Sequence, residues 1–389
     1  MSISIINDCF EIDKDKGELI RYHEDKSQSD KVIIPDSVRI IGRKAFESCK
    51  SITFYRISDP GCVPETNCYV KLSNGEIIKK EEFENSKRIE SVKIPSSVST
   101  IDYYAFSNCE NLKTVVFAEG VKYIMDNAFE GCASLESVTI PSSVEEIGFN
   151  AFRGCNKLRE VTIKEGCKVI CSGAFCGCES LEIVDLPKDS VEFIGDRAFE
   201  RSKLKRISIS KNCISIGKGA FHECYSLSEI VLSDKLRFIE RGAFELCGCL
   251  NSISIPDSVT EIEDMVFSGC TDLTAVTLSN SVTEIGDGAF WACPSLTAFK
   301  IPSKVTEIKG TVFYGCESLT SIKIPDGVTK VGSLAFCCCF SLSSITIPDS
   351  LIEIGESAFL GCENLTIKCH AGSYAEKYAK ENNIPYEII

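Results

Sequence analysis

Histidine is nearly absent from this chain, with three residues in 389: His23, His222 and His370. They lie too far apart in sequence to suggest a triad or a histidine-built metal site, and no G-x-S-x-G elbow accompanies them. No run of 18 apolar residues occurs, so nothing has the length of a membrane-spanning helix. Positive charge is also short: 42 Lys and Arg face 56 Asp and Glu, a net charge of −14. Nucleic-acid phosphate and anionic membrane surfaces would both repel such a chain. The opening "MSISIINDCFEIDKDKGE" has no basic segment before its apolar stretch, which breaks at Asn7-Asp8. As written it reads as cytoplasmic, with cell-surface or secreted placement the alternative if a leader has been removed.

What the chain has in quantity is cysteine, 23 residues, and self-similarity. "SVEEIGFNAFRGCNKL" at 143–158 returns as "SVTEIGDGAFWACPSL" at 281–296. Anchored on the phenylalanine, the phrase falls at Phe46, Phe83 and Phe106, every 23 residues to Phe175, at Phe199 and Phe221, and every 23 again to Phe359. Fourteen copies result, with intervals of 37 at the start and a compensating 24 and 22 around Phe199. Each has a Leu followed by x-x-I-x-I, a short strand with one face inward. A Pro, Ser, Gly or Asp corner and a second short extended V-x-x-I piece follow, then x-x-A-F-x-x-C, long enough for one helical turn. One copy cannot bury its apolar side, whereas stacked copies align equivalent side chains into internal columns.

The phrase L-x-x-I-x-I-P-x-S-V-x-x-I-G-x-x-A-F-x-x-C resembles the BspA-like class of leucine-rich repeats over residues 32–366. The resemblance implies an α/β fold: a right-handed leucine-rich-repeat solenoid of about 14 repeats of 23 residues. A parallel sheet would lie on its concave face and short helical turns on the other side. Residues 1–31 would form an N-terminal cap and 367–389, "AGSYAEKYAKENNIPYEII", a C-terminal cap with a helix. An insertion at 58–75 carries a Ser-Asn-Gly turn that suggests a hairpin. That loop is either part of a binding surface or a completion of the cap.

Twelve of the fourteen copies place Cys three residues after the anchor, where a small hydrophobe in a buried column suits it better than a disulfide or a metal. The clusters Cys167, Cys171, Cys176, Cys178 and Cys337–Cys339 lack paired C-x2-C spacing. "DKDKGELIRYHE" has its glycine out of place for a calcium loop, and "GDG" and "GKG" lack the third glycine of a phosphate loop. No catalytic, cofactor or metal constellation emerges. The candidate partner-binding residues are therefore the outward positions of the long strands: Phe54, Arg56, Lys93, Glu160, Arg206, Glu229, Lys300 and Lys323. The reading is a non-enzymatic binding module for a protein, with a glycan as a second ligand class. The resemblance implies adhesion; an intracellular scaffold or effector is the alternative.

Overall fold

The computed structural model describes residues 3–6, 10–13, 15–16, 18–22, 31–35, 38–46, 69–71, 77–79 and 90–389. The chain divides into two compact units: residues 1–167 with 177–181, and residues 168–176 with 182–389.

The first unit opens with an antiparallel meander, Ile3–Ile6, Phe10–Asp13 and Glu18–Tyr22. Its last strand hands over to a parallel ladder by pairing with Ile40–Ile41. From there every turn contributes a long strand and a short one. Lys31–Ile33, Ser91–Ile94, Thr114–Phe117, Ser137–Ile140 and Glu160–Ile163 line up in parallel along one side. Ile40–Ile41, Thr100–Ile101, Tyr123–Ile124 and Glu146–Ile147 do so along another. The second unit repeats the scheme, as in Arg206–Ser208 beside Glu229–Val231 and Phe193–Ile194 beside Ser215–Ile216. It closes with one helix, α1 (Tyr374–Glu381), and a last strand, Tyr386–Ile388, parallel to Thr366–Cys369. The Ser373 hydroxyl caps α1 by accepting from the Glu376 N–H, and the Tyr378 ring meets Phe359 edge-on at 6.2 Å.

The anchors pack as continuous stacks. In the first unit the Phe46, Phe106, Phe129 and Phe152 rings lie 4.5–5.1 Å apart between successive turns. In the second the spacing runs from 5.3 to 5.8 Å between Phe175 and Phe359. Identical side chains one strand spacing apart can only pack with their rings nearly parallel. The Ala before most anchors is fully buried too, as in Ala105, Ala128 and Ala243.

Two expectations need correction. Phe46 stacks directly on Phe106, and the 31–33 and 40–41 strands pair directly with 91–94 and 100–101. No turn therefore lies between them; the Phe83 copy lies outside the described residues. Tyr22 takes a place in the column instead, stacked on Phe46 at 5.1 Å, so the total stays at about fourteen turns. Within the 58–75 insertion only 69–71 is described; Tyr69–Lys71 pairs antiparallel with Ile77–Lys79, as a hairpin requires. The rest of that segment lies outside the described residues.

The second correction concerns the helical turns, since α1 is the one helix among the described residues. The A-F-x-x-C segment is a chain of tight turns whose alternate N–H groups have different destinations. Ala105, Ser107 and Cys109 donate to Asp102, Tyr104 and Phe106 within the turn. Tyr104, Phe106 and Asn108 donate to Asp126, Ala128 and Glu130 of the next turn, at 2.6–3.2 Å. Two residues per turn make this alternation possible by adopting a left-handed backbone, Tyr104 at φ 58° and Asn108 at φ 56°. A right-handed helical turn cannot hold such residues.

Candidate surface for partner binding

The long strands present a surface because of their period of two. Val115, Val138 and Val161 are buried, while Thr114, Val116, Ser137, Thr139 and Glu160 are exposed. Lys93, Glu160, Arg206, Glu229, Lys300 and Lys323 are all exposed, as expected. Phe54 and Arg56 lie outside the described residues. The candidates do not form one cluster. Lys93 and Glu160 belong to the first unit, on strands with two others between them. In the second unit Arg206 and Glu229 are cross-strand partners of opposite charge. Lys300 follows the Ala298–Ser321 bridge by two residues, and Lys323 stands two residues beyond Ser321. Beside the strands, Lys113 pairs with Glu90 at 3.0 Å and Lys205 with Glu182 at 2.9 Å, exposed contacts worth about 1 kcal/mol or less.

Sequence reading missed a break in the ladder of the first unit. Thr114–Phe117 pairs at all four residues with Ser91–Ile94, but only through Thr114 with Ser137 on its other side. Two residues account for it. Phe117 stands where the neighbouring strands have Ile94, Ile140 and Ile163, and its bulkier ring, T-shaped on Phe129 at 5.9 Å, is half-buried. Opposite stands Pro141, at the position where Ala118 and Lys164 donate to Ile94 and Ile140 and close the flanking ladders. Proline has no N–H to close this one. A shallow depression of about 260 Å³ opens there, lined by Thr114, Val116, Ser137, Thr139, Pro141 and Lys164 among others. Lys164 is 3.4 Å from Glu119. Partial burial would raise the Glu119 carboxyl, but hydrogen bonds from Ser142, Ser143 and Lys164 outweigh it and hold it below its usual value. Phe for Ile at 117 was the available signal.

The cysteines occupy the column expected of them, and the structure adds a reason for their choice. Cys132 donates its S–H to the Phe106 carbonyl at 3.2 Å, and Cys155 and Cys178 do likewise to Phe129 and Phe152. In the second unit the pattern runs from Cys224, bonded to Phe199, through Cys247, Cys270, Cys293, Cys316 and Cys339 to Cys362. Each sulfur thus fills apolar volume and supplies a weak donor to a buried carbonyl. Burial pushes Cys224 and Cys293 up to about 12 and Cys213 to about 11, which makes them poor nucleophiles and poor ligands. None of the nineteen described cysteines is in a disulfide.

Two side-chain clusters lie away from the long strands in the second unit. His222 faces Glu200 at 3.4 Å, Glu223 at 3.7 Å and Glu245 at 3.8 Å, and Arg201 holds Glu223 at 2.9 Å. Cys176 is 3.6 Å from Glu200, and the Cys337 and Cys338 sulfurs are 3.6 Å apart. Among the described residues no group of three or more His, Cys, Asp or Glu is placed to hold a metal ion. No helix of the described residues is long and apolar enough to cross a membrane.

The repeat, its buried columns and its ladders define a parallel-strand β-solenoid of the leucine-rich-repeat class. The profile described as "BspA type Leucine rich repeat region (6 copies)" matches residues 22–64, 76–202, 154–267, 192–320 and 238–366. The chain belongs to that family. Among solved structures it is similar to a leucine-rich cell surface protein of Faecalibacterium prausnitzii, at 28% identity over 97% of both chains with a TM-score of 0.53. It is also similar to a leucine-rich repeat protein of Bacteroides ovatus, at 23% identity over 100% of this chain and 98% of that one, TM-score 0.52. The latter likeness concerns the fold alone. No curated protein matches.

Proposed function

We propose that the chain is a non-catalytic binding module, of adhesion type, that engages a protein partner through the outward positions of its long strands. One observation carries this reading. The repeats act as an alignment internal to the chain, and in it the inward positions hardly vary while the long-strand outward positions do. Phe, Cys and Leu recur turn after turn inside, whereas outside the pairs run Ile183/Asp185, Arg206/Ser208, Glu229/Val231, Ser252/Ser254. Packing explains the uniformity, and nothing in the packing calls for the variety. The Faecalibacterium relative's description as a cell surface protein supports display outside the cell. A glycan is the second reading, favoured by the depression at Thr114–Pro141, whose hydroxyls and single ammonium suit a polyhydroxylated ligand carrying a carboxylate.

The test is capture by the full chain, from extracellular-matrix proteins and from a lysate of the source cells, in parallel with two charge-reversed variants, Arg206→Glu with Lys323→Glu and Lys93→Glu with Glu160→Lys. A matrix protein lost by either variant supports the proposal. A lysate protein lost instead would establish an intracellular scaffold, and capture that ignores both variants would overturn the use of this surface.

A further inference from the structure

The position one residue after each anchor forms a column on the tight-turn side of the chain, away from the long strands; in the second unit Glu200, Ser268 and Cys337 are buried there and the other members are partly or fully exposed. In the second unit it changes character part-way. It reads Glu200, His222, Glu245 and Ser268, then Trp291, Tyr314, Cys337 and Leu360. Trp291 is the chain's one tryptophan. It is 39% exposed and stacked on Tyr314, with ring centroids 6.0 Å apart and 16° between planes. Leu360 is 61% exposed, and Phe340, from the column three residues further on, is 52% exposed. The Cys338 N–H donates to the Leu360 carbonyl at 2.7 Å, and Phe340 passes close over Gly361. The aromatic and aliphatic groups thus belong to one patch spread over four successive turns. None is needed by the core, whose phenylalanines are buried behind them.

The charges on the turns that carry the patch are acidic, and the nearest base, Lys309, lies beside Asp287 at the edge and is paired with Glu284. Over residues 287–297, 310–320, 333–343 and 356–366, which carry the patch, the ionised groups are Asp287, Glu317, Glu356 and Glu363, with no Lys, Arg or His. Glu317 and Glu363 share the column of Phe340 and flank it on the turns before and after. Tryptophan beside tyrosine, rimmed by carboxylates, offers both halves of cation recognition: ring faces that attract an ammonium or guanidinium, and anions that neutralise it. A second copy of this chain would bring the same acids against these acids.

We propose that this patch is a second docking site, separate from the long-strand surface, for a basic amphipathic segment of a partner protein, with Trp291 and Tyr314 receiving a Lys or Arg side chain and Phe340 and Leu360 its apolar neighbours. Because Trp291 is the only tryptophan, its emission reports on this patch directly. The experiment titrates the full chain with a synthetic Lys-Leu peptide and with its Glu-Leu counterpart, at low and at high salt. The expected result is a saturable shift of Trp291 emission with the Lys-Leu peptide, weakened by salt and not reproduced by the Glu-Leu peptide. The Glu317→Gln, Glu363→Gln double variant should bind about threefold or more weakly at an unchanged melting temperature, since each exposed pair contributes a fraction of a kcal/mol. Phe340→Ser should weaken it as well, and Arg206→Glu, on the long-strand surface, should leave the titration as it is. Equal shifts from both peptides, no shift from either, or a shift that grows with protein concentration alone would overturn the proposal, the last in favour of self-association.

Discussion

The anchor column and the corner two residues before it run side by side through the second unit, and they tolerate change very differently. The anchor is Phe in every turn from Phe175 to Phe359. The corner is Gly173, Arg197, Gly219, Gly242, Met265, Gly288, Thr311, Leu334 and Ser357, glycine in four turns and five different residues in the others, yet all with positive φ, from 51° to 67°. Magnitudes explain the contrast. Emptying an anchor position removes a buried ring and leaves a cavity between two others, a loss of about 3–5 kcal/mol. Placing a side chain on a left-handed corner costs about 1–2 kcal/mol, and the backbone bond to the next turn is made whatever the residue. Thr311, a β-branched residue there, still donates its N–H to Ser333 at 3.0 Å. The repeat is therefore strict where volume is at stake and loose where only backbone strain is.

The largest effect that sharpens this contrast comes from the cysteine column, through pH. Cys224 and Cys293 sit at about 12 in the folded chain against 9.0 for a free thiol. A raised folded value means that the neutral thiol is favoured by folding. The contribution is complete below pH 9 and is lost as pH climbs toward 12, because the unfolded thiol ionises first. Going from pH 8 to pH 10 is expected to remove about 1.4 kcal/mol for each such thiol, several times that for the column. Denaturant midpoints at the two pH values check it; an unchanged midpoint would mean that the sulfurs are not buried as thiols. Next, Phe244→Ala should lower stability by about 3–5 kcal/mol in denaturant unfolding. A loss under about 1 kcal/mol would break the comparison by showing that the column can collapse around a gap. Smallest, Thr311→Gly should raise stability by up to about 1 kcal/mol, since glycine takes the left-handed conformation without the clash. A decrease would show that the threonine side chain packs in a way that its corner position does not reveal.

Legibility followed the same division. The Phe, Cys, Leu and Ile columns could be read from the period alone because each is imposed on every turn. Period counting could not show whether a copy stacks on its neighbours. The 37-residue interval left open which copy follows Phe46, and its stack on Phe106 came from the structure alone. The tight turns passed for helical turns because A-F-x-x-C has helical length, and the recurring Gly or Asn two residues to either side of the anchor was the contrary signal. The six outward candidates among the described residues are exposed, but periodicity places side chains on faces without grouping them. The break at Phe117 and the patch at Trp291 arise from single departures within columns, which a consensus averages away.

Counting thiols tests the central claim, that the uniform columns are reduced and packed inward, most directly. In native protein a thiol reagent should react quickly, among the described cysteines, with exposed Cys249 and the partly exposed Cys176 and Cys338, and only slowly with the buried remainder. In denatured, unreduced protein it should find nearly all 23. Ten or fewer in the denatured state, or rapid reaction of the buried set in the native one, would contradict the account.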